Sequence, residues 1–287
     1  MKKEILAIAV LVVVLISAGC GMRREPVVGE IVYHEGTEGL DVNLIKNLPP
    51  DKVWKGNEFI IGLELRNKGA YNIEDGIVKI SGFDPRYIEP DEEEQVIEFL
   101  AGKSPGYPEG DYMVMNFNEK NIDIPKGAGE YEAAFTVNAE YDYKTEVSTV
   151  VCVSPKIFSI VKTRDVCEVK AVSMPRGQGA PVAITQIEES ITPLDRDLRV
   201  EFIFYVANKG DGEVKGNIDI DSVKLSEQPI ECDVKQFDLK GRDEKKIHCS
   251  VIVDRGISAR KVPLRAEFSY RYKLTLDKKI KVLGFIG

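Results

Sequence analysis

The sequence predicts an all-β protein built of two tandem antiparallel β-sandwiches. The stretches Glu58–Gly69 (EFIIGLELRNKG) and Leu198–Gly210 (LRVEFIFYVANKG) place an apolar residue at every second position, and both end in Asn-Lys-Gly. A period of two is the side-chain period of a strand with one buried face. Because Asn and Gly tolerate positive φ, we expect each strand to end in a turn at these letters. No convincing helical pattern follows residue 20.

The strands after these twin stretches also repeat. Gly76–Ile80 matches Gly216–Ile220, and the alternating run that ends at Tyr143 matches the run that ends at Tyr270. Three matched strands in the same order indicate a duplication. The repeat is much longer than the ~20–50 residues of a solenoid unit, so it predicts tandem domains.

A chain of 287 residues has room for roughly two domains. We divide it into a signal segment (1–20), a tether (21–39), a first sandwich (40–155) and a second sandwich (156–287). The first sandwich is expected to end in a hairpin made by Tyr131–Tyr143 and Glu146–Val153. The second is expected to end in two separate strands, 261–272 and 278–283.

The N-terminus has the pattern of an export signal. Lys2 and Lys3 precede the uncharged apolar run Ile5–Gly19, which is shorter than the ~20 residues of a membrane span. Ile16–Cys20 resembles the lipobox of lipoproteins, with Ser17 where that family usually has Leu. The resemblance implies cleavage before Cys20, lipid on its thiol, and a location on the outer face of the cytoplasmic membrane or the cell surface. An uncleaved signal anchor is the alternative.

The charge argues against nucleic acid as a partner, because the formal net charge is −8 and nucleic-acid binding favours a basic face. The charge is also uneven. Residues 25–155 hold 11 Lys and Arg against 26 Asp and Glu, whereas residues 156–287 hold 24 against 20. A strongly solvated first domain is favoured over an acidic face that binds a cationic partner.

Residues 82–129 are predicted to be an insertion that protrudes from the first sandwich and holds any ligand contacts, since long loops on a rigid scaffold often carry function. The candidate binding residues are Tyr107, in a Pro- and Gly-rich loop, and the acid run Asp91, Glu92, Glu93 and Glu94. Carboxylates of this run could ligate calcium. The run lacks the spaced acidic loop of a calcium motif, so a solvated run is favoured and no cofactor or metal is predicted.

The cysteines predict disulfides. Behind an export signal, the even number left after Cys20 favours disulfide bonds over buried thiols. A turn centred between Lys240 and Gly241 places Cys232 opposite Cys249 on antiparallel strands, within disulfide reach. Cys152 and Cys167 then pair across the linker.

Sequence motifs for catalysis are missing. The two histidines, His34 and His248, accompany no nucleophile or metal motif. Trp54, the only tryptophan, is expected to pack at a domain edge, with a carbohydrate platform as the weaker alternative. A carboxylate-based hydrolase is the least favoured function, and we predict a non-enzymatic protein.

The alternating strand, Asn-Lys-Gly and Gly-x-Ile/Val-x-Ile together resemble the CARDB-like group of Ig-fold domains found on prokaryotic surface proteins. The resemblance implies two Ig-like sandwiches on a prokaryotic (bacterial or archaeal) surface lipoprotein, with structural turn roles for Asn67 and Asn208. It also implies adhesion or an envelope scaffold, with a surface protein as partner. A solute- or polymer-binding lipoprotein that uses residues 82–129 is the alternative.

Overall fold

The structure, a computed structural model, describes residues 33–154, 166–254 and 258–285, all within one compact unit, 33–287. Cys20, the signal segment and most of the tether lie outside these ranges. Every regular element in them is a β-strand, and they contain no helix that could cross a membrane. The strands are β1 Leu40–Leu44, β2 Lys52–Trp54, β3 Phe59–Asn67, β4 Gly76–Ser81, β5 Glu89–Pro90, β6 Glu94–Ile97, β7 Tyr112–Lys120, β8 Glu130–Val153, β9 Val172–Ser173, β10 Val182–Pro193, β11 Asp197–Asn208, β12 Glu213–Leu225, β13 Gln228–Pro229, β14 Glu231–Cys232, β15 Gln236–Asp238, β16 Glu244–Asp254 and β17 Arg260–Leu283.

The strands form three sheets. The first small sheet has the order β1-β3-β7-β5, and the second small sheet has the order β14-β16-β11-β10-β9. The shared sheet has the order β13-β12-β17-β8-β4-β6, with β15 beside β12 and β2 beside β17. All pairings are antiparallel except that of β2 with β17. The predicted all-β antiparallel sandwich class is therefore confirmed.

The core lies between the small sheets and the shared sheet. In the second half, the rings of Phe204 in β11 and Phe268 in β17 join the layers at 6.4 Å. In the first half, Phe83, which follows β4, contacts Phe59 of β3 at 6.1 Å and Phe135 of β8 at 5.1 Å. The alternating residues of the twin stretches have no exposed surface, as the sequence predicts; they are Ile61, Leu63, Leu65, Phe202, Phe204 and Val206.

One long strand from each half joins the two halves of the molecule, which we call the first half (33–154) and the second half (166–254 and 258–285). β8 and β17 each contain 24 residues and pair along their whole length, from Glu130 opposite Leu283 to Val153 opposite Arg260. At ~3.4 Å per residue each strand spans about 80 Å. β8 also pairs with β4 of the first half, and β17 with β12 of the second. We call this pair of strands the ribbon.

The ribbon corrects two expectations. The hairpin predicted at the end of the first half is one continuous strand, and 261–272 and 278–283 are parts of another. Alternation continues through the expected turn, since Tyr143 and Thr145 are buried and Lys144 between them is not. The boundary at 155/156 stays a prediction, because residues 155–165 lie outside the described ranges.

Residues 82–129 contribute to the sandwich instead of protruding from it. β7 pairs with β3 on one side and with β5 on the other, so it is an inner strand of the first small sheet. Its residues Met115 and Phe117 are buried, as are Ile97 and Leu100 before it. The turn-rich composition of 98–111 suggested a protruding segment, but the strand that follows it lies inside the sheet.

Candidate functional site

The two Asn-Lys-Gly turns meet the ribbon through side-chain hydrogen bonds. The Oδ1 atom of Asn67 accepts from the main-chain N–H of Gly69 and from the hydroxyl of Tyr143, both at 3.2 Å. Its Nδ2 donates to the carbonyl oxygens of Tyr71 at 2.7 Å and Leu100 at 3.0 Å. Asn67 is fully buried, so these bonds satisfy an amide that would otherwise be costly to bury.

The second turn repeats this arrangement. The Oδ1 atom of Asn208 accepts from Gly210 N–H at 3.1 Å and from the Tyr272 hydroxyl at 2.8 Å. Its Nδ2 donates to the carbonyl oxygen of Gly212 at 2.8 Å. Burial raises the pKa of Tyr272 to about 12, so this hydroxyl stays protonated at neutral pH.

The glycines of the two turns are needed for space. Both strands end in a turn at these letters, as the sequence predicts, but neither Gly69 nor Gly210 has the positive φ that was given as the reason. A Cβ atom on Gly69 would collide with the Tyr143 hydroxyl, and one on Gly210 would lie 2.6 Å from the Tyr272 hydroxyl. Each glycine therefore lets a tyrosine of the ribbon reach the asparagine of the turn.

These bonds relate the two halves by an approximate two-fold axis. Tyr143 in the first half corresponds to Tyr272 in the second, and Tyr141 corresponds to Tyr270. The hydroxyl of Tyr141 accepts from the N–H at the start of β1, and that of Tyr270 accepts from the N–H at the start of β10. The sequence alignment matched Tyr143 with Tyr270, two residues before its true counterpart. Because the error is an even number of residues, the alignment predicted the buried face of the strand correctly but not its register.

One contact breaks this symmetry. The Tyr71 hydroxyl accepts from the Glu146 N–H at 3.1 Å and donates to the Glu146 carbonyl at 3.3 Å, so it caps the edge of β8. The main chain of Tyr71 bonds to Asn67 and to the Tyr143 hydroxyl. The main chain of Gly212 makes the same two bonds to Asn208 and to the Tyr272 hydroxyl, so Gly212 corresponds to Tyr71. Gly212 has no side chain to cap β17.

The Gly-rich loop 174–179 joins the halves. The N–H of Gly179 donates to the carbonyl of Gly36 at 2.8 Å, and the carbonyl of Gly179 accepts from Ala70 N–H at 2.7 Å. A Cβ atom on Gly177 would collide with the main chain of Gly36. The loop is an element of the junction between the two halves.

The predicted binding residues are not assembled into one site. Asp91 pairs with Lys120 at 2.5 Å, and Glu93 with Lys79 at 3.8 Å. Glu92 accepts from Gln95 Nε2 at 3.2 Å, and Glu94 begins β6. Tyr107 lies in a tight turn, where its N–H and C=O bond to Ser104, and no described hydrogen bond or ion pair joins it to the acid run.

Glu119 is a buried carboxyl that sequence reasoning missed. It takes a core-facing position of β7 beyond Phe117, has no exposed surface, and neither of its oxygens has a described hydrogen-bond partner. Burial, and then the charges of Asp91 and Glu93, raise its pKa to about 8. Only its inward position in the alternation of β7 could have revealed it. Glu189, whose pKa burial raises to about 7, lies on the second small sheet, so the two do not form a catalytic pair.

An aromatic platform lies where β2 meets the end of β17. The rings of Trp54 and Phe285 stack 5.7 Å apart at an interplanar angle of 17°, with 47% and 73% of each residue exposed. They border an open groove of about 790 Å³ that includes Ala128, Glu130 and Leu283. Trp54 is thus at a domain edge, as expected.

Both predicted disulfides are present. Cys152 bonds to Cys167, and Cys232 bonds to Cys249, its direct partner across β14 and β16. Within 33–154, 166–254 and 258–285, no three His, Cys, Asp or Glu side chains are grouped to hold a metal ion. His34 packs its ring against Tyr71 at 5.5 Å.

Comparisons with known proteins add little. No protein-family model matches the chain, and no curated protein matches it. Among solved structures, the crystal structure of the YadV chaperone is similar at a TM-score of 0.21 and 9% identity, over 84% of this chain and 98% of that one. A TM-score this low does not establish a shared fold.

Proposed function

We propose that the protein is a non-enzymatic, membrane-anchored extracytoplasmic scaffold or adhesion module, built of two Ig-like halves of the CARDB type. The observation that carries the proposal is the ribbon, in which 24 residue pairs join the two halves into one sheet. Such a sheet resists bending between the halves, which suits a strut that holds partners at a fixed separation. Two disulfides support an oxidising compartment.

Anchoring is tested by mass spectrometry of the mature N-terminus in the native membrane. A chain that begins at a lipid-modified Cys20 is expected. An intact Met1 would instead indicate a signal anchor, and an unmodified Cys20 simple secretion.

The scaffold role is tested by photo-crosslinking in the native envelope. Crosslinkers replace Val96 in the first half and Ile252 in the second, which are 57% and 51% exposed. A scaffold is expected to give discrete protein adducts from both halves. The absence of adducts from an anchored, folded chain would contradict the proposal.

A solute- or polymer-binding lipoprotein is the second candidate. It is favoured by the large apolar side chains that residues 82–129 expose, namely Val96, Phe99, Tyr107, Tyr112 and Val114. Soluble envelope polymers should then protect these residues from labelling, whereas Ile252 in the second half should label equally with and without polymer.

A further inference from the structure

A cavity of about 250 Å³ lies between β1 and β17 and is lined by residues of both halves. Apolar residues along it include Val42, Leu274 and Leu276, and polar ones include Lys209 and Thr275. A cavity of ~150 Å³ is enough to hold benzene. The space is therefore large enough for one six-membered ring with a polar substituent.

The main chain of Thr275 borders this cavity without a partner strand. β12 pairs with β17 as far as Lys273, and β2 pairs from Lys281 onward. Between these points no described strand covers this edge of β17. The N–H of Lys281 points away from β8, to Asp51, and main-chain groups alternate along a strand. The N–H and C=O of Thr275 therefore also point away from β8.

The corresponding place beside β8, in the first half, is filled. Under the approximate two-fold axis, Thr275 corresponds to Glu146, whose N–H and C=O both bond to the Tyr71 hydroxyl. The residue that corresponds to Tyr71 is Gly212, and a Cβ atom there would lie 2.7 Å from the Tyr272 ring. The chain can therefore not supply a phenol from this position of the turn.

We propose that this cavity, which we call the Thr275 site, binds one phenol ring presented by another molecule. The ring packs against Val42, Leu274 and Leu276, and its hydroxyl bonds to the main chain of Thr275, as that of Tyr71 does to Glu146. The shared chemistry is a phenol, which comes either from a small phenolic ligand or from a tyrosine side chain of a partner polypeptide.

The test is an NMR titration of the full chain with p-cresol, toluene and N-acetyltyrosine amide. Saturable shifts of Leu274, Thr275 and Val42 with p-cresol are expected, with toluene binding several-fold more weakly because it lacks the hydroxyl. Binding of the tyrosine amide as well indicates a polypeptide source, and binding of p-cresol alone indicates a small phenolic ligand. No shift with p-cresol, or equal binding of toluene, would overturn the proposal.

Two variants control for the location. Val42→Trp should fill the cavity and abolish the shifts. Thr275→Pro removes an N–H that does not belong to the β8 ladder, and should remove the preference for p-cresol over toluene. Preserved binding in both variants places the ring elsewhere and overturns the proposal.

A third variant tests the comparison between the halves. Tyr71→Gly should create a similar space beside Glu146, and p-cresol should raise the melting temperature of this variant more than toluene does. If p-cresol stabilises the Tyr71→Gly variant but causes no NMR shift at Thr275 in the native chain, the proposal is also overturned. If Tyr71→Gly does not fold, the Val42 and Thr275 variants still decide it.

Discussion

The carboxylate of Asp142 and the guanidinium of Arg271 meet at the midpoint of the ribbon, 3.0 Å apart. The tyrosine pairs Tyr141–Tyr272 and Tyr143–Tyr270 lie opposite each other on the strands at either side of this pair. The approximate two-fold axis therefore passes between two residues of opposite charge. At the axis, the inward tyrosines are the same in both halves, whereas the outward residues Asp142 and Arg271 are opposite in charge.

The tyrosine hydroxyls should stabilise the fold. Replacing Tyr143 or Tyr272 by Phe leaves a buried asparagine oxygen and a turn N–H without one partner, so each change should cost about 1–2 kcal/mol of unfolding free energy. Urea denaturation measures the loss. Tyr112→Phe is the matched control, because Tyr112 is 57% exposed and should change stability little. Equal effects at all three positions would contradict the role of the hydroxyls.

The turn glycines should not tolerate a methyl group. Gly210→Ala places Cβ 2.5 Å from Pro181 Cβ and 2.6 Å from the Tyr272 hydroxyl, so we expect marked destabilisation. Gly106→Ala is the control, since nothing lies within 4 Å of a Cβ atom there. Thermal unfolding compares the two. A Gly210→Ala protein as stable as Gly106→Ala would show that the turn is not closely packed against the ribbon.

Glu119 should make stability fall as pH rises. Its pKa is about 8 in the folded protein, against 4.5 as the ordinary value, so the folded state holds the proton more tightly. The contribution of Glu119 to the free energy of unfolding is complete below about pH 4.5. It is lost as the pH rises to about 8, at ~1.4 kcal/mol per pKa unit, and does not change further above that pH.

Glu119→Gln tests this slope, because the neutral amide does not titrate. The free energy of unfolding of the variant should fall less steeply with pH than that of the native chain, and the variant should be the more stable protein at pH 8. Urea unfolding across about pH 5–9, which includes most of the interval between the two pKa values of Glu119, measures the difference. Glu189 titrates in the same direction, with a pKa of about 7, so only the difference between the two proteins is diagnostic. Parallel pH curves would mean that Glu119 ionises normally.

The disulfide of β14 and β16 should contribute through the unfolded state. Cys232 and Cys249 are 17 residues apart in the chain, and a loop of ~15 residues is worth ~3 kcal/mol in the chain-entropy model. The Cys232→Ala, Cys249→Ala double variant should lose about that much on urea unfolding. Wild-type protein measured under reducing conditions gives an independent comparison, and unchanged stability in both would refute the estimate.

Cutting the linker should not separate the halves. A protease site inserted within 155–165, cleaved and then reduced to open Cys152–Cys167, leaves the ribbon as the main connection. Because β8 and β17 pair over 24 residues, the pieces should elute together in size-exclusion chromatography without denaturant. Urea should release them as two chains. Release without urea would favour two self-sufficient domains.

Local patterns were enough to predict the cores and the disulfides. The alternation of Phe202, Phe204 and Val206 predicts their burial because a strand with one buried face needs nothing beyond its own period. The opposition of Cys232 and Cys249 was predicted from a hairpin register and is present, although Gln236–Asp238 between them pairs with β12 of the shared sheet. Asn67 and Asn208 were correctly given structural turn roles, although the need for glycine beside them was attributed to φ instead of to the tyrosines.

The long-range pairing could not be predicted in the same way. No local pattern around Tyr143 predicts that Tyr270 lies opposite it on the neighbouring strand, because period-two alternation fits many registers and many partner strands. The charge at Glu119 also escaped notice, because a carboxyl in an alternating strand reads as a solvent-facing residue. Its burial depends on where β7 lies in the sheet, and composition suggested a protruding segment there.

The ribbon has a consequence for the order in which the protein can acquire its structure. Lys281 and Glu130 form an ion pair although 151 residues separate them along the chain. The first half thus completes its sheet with residues synthesised after most of the second half. Closing so large a loop slows formation of these contacts. During synthesis, the edge of β8 that pairs with β17 must therefore stay open until its partner strand is made, and until then it is exposed to self-association or to capture by a chaperone.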